Sequence, residues 1–489
     1  MKKIFTTLFL LLSTATVFSQ EKGLDQKIDE AFAPISDFFS QVVFFTVGDY
    51  PFVILLLVGS AMFFTIYFGF PNIKYFFTAI NVVRGKYDDH DKSESSESGD
   101  GEVSHFQALA TAVSGTVGNG NIAGVALAIA LGGPGATFWM IVCGLLGMST
   151  KFVECTLGVQ YRDVGEDGTI YGGPMYYLSK GLKNKGWEKL GKVTAVLFAI
   201  FCIGGSFGGG NAAQSNQATI VLKDLLGLET TFAGAIIGLV LAAFVGIIII
   251  GGIKRIASVT EKVVPLMAVL YILACVYILA INFSYIDDAI SLIIREAFNP
   301  TAVGVGGVIG VLMVGFKRAA FSNEAGAGSA SIAHSAVKTK YSASEGLVAL
   351  LEPFIDTVVI CTMTALVIVI FNSNGAFVYG GEGGVLIDGV MYEGAGITSK
   401  AFAEYIPYSG IFLTIAVVLF AVSTMISWSY YGLQSWKYLL SCSLTTGNKK
   451  YSPIMFGKTI AKIIASEKAH IEFILAAAPI TTKTKNKTL

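Results

Sequence analysis

Between Phe106 and Leu131 the chain is apolar at membrane-spanning length, yet its middle reads SGTVGNGNIAG, Ser114–Gly124. In hydrocarbon, every backbone N–H and C=O must be satisfied inside its own segment. A helix interrupted by glycines and asparagines at that depth is therefore stable only beside a protein-lined cavity. A second polar, glycine-rich interruption, GFKRAAFSNEAGAGSAS (Gly315–Ser331), lies in the later half of the chain. One broken helix in each half is the pattern of secondary transporters, whose half-helix ends and freed carbonyls hold substrate and coupling ion near the midplane.

Composition agrees with a multi-pass membrane protein. Of 489 residues, 53% are hydrophobic and 14% charged, with mean hydropathy +0.66; soluble domains carry about 25% charged residues. The 55 glycines suit helices packed through small faces. Net charge is zero, which gives no footing for nucleic acid. Cys143, Cys155, Cys202, Cys275, Cys361 and Cys442 stand singly in or beside apolar segments, without a CxxC pair, so they read as packed thiols. No cofactor and no metal beyond a coupling ion is expected. Residues 1–20, with a basic start, an apolar run and a small-residue exit, read as a signal peptide, with an uncleaved anchor as the alternative. Residues 21–49 read as an amphipathic, interfacial segment.

At about 20 residues per crossing, the expected spans are 50–70, 106–131, 136–158, 194–222, 232–252, 263–281, 302–334 (broken), 346–371 and 405–440. The loops alternate in basic content, as the positive-inside rule requires. The 160–192 loop carries Arg162, Lys180, Lys183, Lys185, Lys189 and Lys192, and Lys254, Arg255 and Lys262 follow in 253–262. The intervening loops hold Lys223, Arg295 and Lys400. The two broken helices thus enter the bilayer from opposite sides, as an inverted repeat demands. A transporter domain is expected over 50–440, with an acidic, serine-rich linker at 86–102 and a glycine-rich external cap at 372–396. In that cap, Asp388–Gly389 signals a hairpin.

Several side chains are candidates for binding. Gly115, Gly118, Gly120 and Gly124 let the backbone leave helical geometry. The resumed half-helix near Gly120 offers N–H groups to a carboxylate, and carbonyls freed at Gly115 and Val117 suit a hard cation. Asn211, Gln214 and Gln217 share a face that serves either a ligand or interhelical hydrogen bonding. Around the second break, Lys317, Arg318, Asn323 and Glu324 are costly in a bilayer. Glu324 is placed to brace the opening, and Lys317 and Arg318 to pair with Glu352 and Asp356. Ser423, Thr424 and Ser427 offer hydroxyl oxygens to an alkali cation, and Trp428 either walls a small pocket or packs in the core.

These motifs carry a family resemblance. GTVGNGNIAGV, ATFWMIVCGLLGMSTKFVECTLGVQYR, YGGPMYYL, FSNEAGAGSASIAHSAV, EPFIDT and WSYYG, in order over about residues 48 to 440, resemble the alanine or glycine:cation symporter family. The resemblance implies an all-α, leucine-transporter-like fold with one extra N-terminal helix before two inverted five-helix repeats. It also implies sodium-coupled uptake of small neutral amino acids, chiefly alanine and glycine, through the cytoplasmic membrane. The family's ligand positions fall on Thr116–Gly120 (including Gly118 and Asn119), Gln214, Thr424 and Trp428. Asn119 stands where many relatives have threonine. Relatives continue after WSYYG with two more spans, whereas residues 441–489 here are short apolar runs interrupted by Lys458, Lys462, Glu467, Lys468 and Glu472. A truncated second repeat with impaired transport is the resulting expectation. An amino-acid sensor is the alternative function, and it would need an output domain. An enzyme is not expected, since the histidines are scattered (His90, His105, His334, His470) and no nucleophile–base pair is apparent.

Overall fold

A computed structural model describes residues 33–34, 37–48, 50–88, 101–165, 168–228, 233–301, 306–381 and 383–444. The expected signal peptide, most of the acidic linker and the tail beyond 444 lie outside the described residues. The chain divides into two units, residues 1–53 with 480–489, and residues 54–479. In the first, residues 37–43 are helical and a hairpin joins β1 (Thr46–Val47) to β2 (Tyr50–Pro51). Phe38, Phe39, Val42 and Val43 are exposed there. Such a run of outward apolar groups is what a segment lying in a membrane interface presents.

After α1 (Phe52–Tyr67) and α2 (Phe76–Val83), the second unit is built around a bent pair, α3 (His105–Thr116) and α4 (Val125–Gly132). Ser104 starts α3 with a capping box: its hydroxyl accepts from the Gln107 N–H, and the Gln107 side chain accepts from the Ser104 N–H. Nearly all of α4 is buried, and the helix is apolar on every side, the signature of a helix enclosed by others. α5 (Gly135–Gln160) follows, then a short hairpin of β3 (Asp163–Val164) and β4 (Ile170–Tyr171), then α6 (Pro174–Asn184). α7 (Glu188–Leu226) is a single rod with one wide turn at Gly208–Ala212. α8 (Ala233–Ile249), α9 (Gly252–Ile281) and α10 (Ile286–Phe298) lead to the second break, between α11 (Gly307–Asn323) and α12 (Ala330–His334). α13 (Ser342–Asn374), the hairpin β5 (Gly384–Ile387) and β6 (Val390–Glu393), α14 (Ala395–Tyr405) and α15 (Ser409–Leu444) complete it. The β5–β6 turn uses Asp388 and Gly389, both at positive φ.

Each expected span contains a described helix, but the ends move. α5, α7, α9, α13 and α15 are long and apolar enough to cross a bilayer unaided, and α3 with α4 makes a sixth. α1 and α8, with 16 and 17 residues, reach only about 24–26 Å at 1.5 Å per residue. The stretch 253–262, expected as a loop, is the first part of α9, which runs straight through Pro265. Its charges ride on a helix longer than the hydrocarbon, so charge alone did not mark the helix end. Ile236, Leu239, Val240, Phe244 and Ile247 on α8, with Leu266, Val269, Leu273 and Val276 on α9, are exposed. In a bilayer such apolar faces meet lipid rather than water.

Candidate functional site

Both breaks are held by side chains rather than left open. Val117 leaves helical geometry, and the axis bends by 51° before the chain resumes as a wide turn at Gly120–Gly124. The Gly118 N–H donates to Asn121 Oδ1 at 2.9 Å, and the Asn119 N–H to Gln214 Oε1 at 3.2 Å. Gly118 is required by close approach, because a Cβ there would lie 2.4 Å from Thr424 Oγ1. At the second break Glu324 itself is left-handed (φ 54°), and Gly326 and Gly328 follow at positive φ. A non-glycine residue in that region costs of order 1–3 kcal/mol and is sustained by its surroundings. Here Ser329 Oγ donates to Glu324 Oε2 at 2.5 Å and Trp428 Nε1 to Glu324 Oε1 at 2.8 Å. On α7, Gly210 makes room for Trp428, whose Cβ would stand 2.4 Å from an added methyl.

Between these elements lies a cavity of about 320 Å³, at the small end of ligand sites. It is lined by Gly115, Thr116, Gly120, Gly205, Gly209, Gln214, Ala320, Phe321, Glu324, Ala327, Thr424 and Trp428. Of the expected substrate residues, Thr116, Gly120, Gln214, Thr424 and Trp428 line it directly. Gly118 and Asn119 sit just behind, against Thr424 and Gln214. Thr424 Oγ1 and Asn119 Oδ1 are buried with no hydrogen-bond partner among the described residues. A buried polar atom left unpaired costs about 1–3 kcal/mol, so these two atoms are where a ligand is worth most.

The expected cation residues fall in two places. Gly115 lines the cavity; Val117 is fully buried beside it. Ser427 faces the α3–α15 seam instead, and the Ser423 hydroxyl turns toward Met267 on α9. The Ser114 hydroxyl donates to the Ser423 carbonyl at 2.7 Å and lies 2.9 Å from Ser427 Oγ. Ser427 Oγ donates to the Thr111 carbonyl at 2.8 Å, and Ser423 Oγ to that of Phe420 at 2.9 Å. Thr424 is the hydroxyl of this trio that reaches the cavity. Of Asn211, Gln214 and Gln217 on α7, Gln214 alone lines it; Asn211 turns back to the Ser206 carbonyl at 2.6 Å.

One expectation is overturned. Arg318 and Lys317 do not pair with Glu352 or Asp356: Lys317 is exposed and Arg318 half-buried on α11, whereas both carboxylates are fully enclosed on α13. Glu352 takes Lys151 Nζ at 3.0 Å. Asp356 accepts from Asn121 Nδ2 at 2.6 Å, Ser322 Oγ at 2.9 Å and Thr357 Oγ1 at 2.7 Å. Asn323 braces the same knot, donating to Thr357 Oγ1 at 3.0 Å. Asp356 therefore ties the two breaks together. Lys151, Glu154, Glu345 and His105 were not anticipated, although a lysine and a glutamate three apart inside an apolar span were a visible signal.

The model of the sodium:alanine symporter family matches residues 34–480. The chain belongs to that family. It is 43% identical to the sodium/alanine symporter AgcS of Methanococcus maripaludis over 80% of this chain and 81% of AgcS. It is 36% identical to the amino-acid carrier protein AlsT of Bacillus subtilis over 77% of this chain and 73% of AlsT. A solved Na+-coupled sialic acid symporter shares the fold, with TM-score 0.51, 15% identity and coverage of 87% of this chain and 80% of that one. A member of the sodium:alanine symporter family is a multi-pass membrane protein and a cation-coupled amino-acid symporter, not an enzyme. The family match also extends past Leu440, over most of the tail expected to be atypical.

Proposed function

We propose that this chain carries alanine and glycine inward with sodium across the cytoplasmic membrane by alternating access. The observation that carries this reading is the cavity between the two breaks, with Thr424 Oγ1 unpaired at its wall. Its volume suits a small ligand, and Trp428 and Phe321 give its wall apolar surface for a short aliphatic side chain. Under this reading the ligand's carboxylate meets the Thr116–Gly120 segment and Gln214, while its ammonium lies toward Glu324. Sodium takes oxygens of Gly115, Val117, Ser423, Thr424 and Ser427, and coupling arises because ion and amino acid share one unwound backbone. Under this reading the basic stretch 160–192, from the end of α5 to the start of α7, lies on the cytoplasmic side. Titration of purified protein with alanine, glycine, serine and glutamine, with and without sodium, tests it. Sodium-dependent binding restricted to the small amino acids supports the reading; equal binding of glutamine, or binding indifferent to sodium, rejects it.

A further inference from the structure

A row of buried ionisable side chains leads away from the cavity to the end of the helices that carries the basic loops. His105 Nδ1 lies 2.5 Å from Glu345 Oε2, and His334 Nδ1 lies 2.5 Å from Glu345 Oε1. His334 Nε2 faces Glu352 Oε2 at 3.7 Å. Glu352 Oε1 then takes Lys151 Nζ at 3.0 Å, and Lys151 lies 3.6 Å from Glu154 Oε1. Glu154 Oε2 finally accepts the Gly328 N–H at 3.1 Å, in the turn of the second break. All six side chains are buried.

Two features fix the proton inventory. Both oxygens of Glu345 are taken by imidazole Nδ1 atoms, so a carboxylate there requires a proton on each Nδ1. A neutral His334 ring would then aim the lone pair of Nε2 at Glu352 Oε2, and neither atom has another hydrogen-bond partner. Two lone pairs facing each other in a dry interior repel, and a proton on Nε2 turns that contact into an ion pair. Charge balance agrees: neutral histidines leave three carboxylates against one ammonium, whereas protonated ones give three cations alternating with three anions. We propose that this row is a proton-binding site centred on His334, whose occupancy holds α3, α5, α12 and α13 together.

Among the described residues, the other groups whose contacts with the row are given do not supply the missing charge. Cys155 on α5, Tyr177 on α6 and Tyr431 on α15 are thiol and phenol groups, which carry no positive charge in either protonation state. Arg162 is committed to the carbonyls of Ser335, Val337 and Thr339. Glu324, on the far side of the turn, adds a further carboxylate.

The test takes the full-length protein in detergent and in proteoliposomes from about pH 6 to about pH 9, a range that brackets an ordinary imidazole. The pH is equal on both sides and the sodium gradient constant. The unfolding temperature and alanine uptake should fall together at the alkaline end. Glu352→Gln removes one flanking anion and should move that decline to lower pH by about 1–3 units. His334→Lys, a fixed cation over this range, should abolish it. A wild-type protein whose unfolding is flat with pH overturns the proposal, as does a decline unmoved in Glu352→Gln. If His334→Lys fails to insert, the Glu352→Gln shift decides alone. Absent uptake with the unfolding shift intact would reject the transport reading and leave the proton site standing.

Discussion

At the scale of single residues, the site rests on a few atoms whose partners are missing or already shared. Thr424 Oγ1 is buried, unpaired and pressed against Gly118. Thr424→Val keeps the shape and removes the oxygen, so the sodium concentration for half-maximal uptake should rise by an amount worth about 1–3 kcal/mol. A fall in alanine affinity at saturating sodium, with sodium dependence unchanged, would put the hydroxyl on the amino acid instead. Gln214→Ala should weaken alanine binding on the same scale. It removes a cavity-lining amide and strands the Asn119 N–H that Gln214 receives. Isothermal titration of the purified variant checks this, and unchanged affinity would reduce Gln214 to a packing role. Gly118→Ala forces a methyl to 2.4 Å from Thr424 Oγ1, so binding should be lost in protein that still inserts.

At the scale of elements, the two breaks depend on α13, which neither break contains. Asp356 accepts from Asn121 on the first and Ser322 on the second. Asp356→Ala removes the shared acceptor and leaves Asn121 Nδ2 with the residue-356 carbonyl at 3.0 Å and Ser322 Oγ with only Cys361 Sγ at 3.5 Å, a loss of about 1–3 kcal/mol. A clear drop in unfolding temperature with loss of binding is the expected outcome; normal stability and affinity would show that the breaks hold without it. Lys151→Met removes the cation shared by Glu352 and Glu154 and leaves Glu352 with His334 alone, a loss of up to about 3–5 kcal/mol. Adding Glu352→Gln should recover part of it, and strictly additive losses would contradict the pairing. The sequence made the breaks legible because glycine and asparagine inside an apolar run have few other uses. It did not make the pairing legible. Which acid meets which base depends on the direction a helix face points, and Lys317 with Arg318 sat nearer Glu352 in sequence than Lys151 does.

At the scale of the whole molecule, the order of the apolar helices was readable from hydropathy, whereas their ends were not. α9 begins with charged turns outside the hydrocarbon, and α7 extends past its apolar stretch in both directions. The cavity residues Thr116, Gly120, Gln214, Thr424 and Trp428 come from α3, the first break, α7 and α15. Periodicity within one segment cannot join them; the motifs shared across a family did. Phe321 was missed because an aromatic in an apolar helix carries no mark of the cavity it lines. The central claim is that one cavity binds a small amino acid and sodium together, so that each raises the affinity for the other. Alanine uptake into proteoliposomes formed from the 489-residue chain tests it most directly, with the sodium gradient imposed inward, absent or reversed. Accumulation only under the inward gradient is predicted. Accumulation that ignores the direction of the sodium gradient would contradict it.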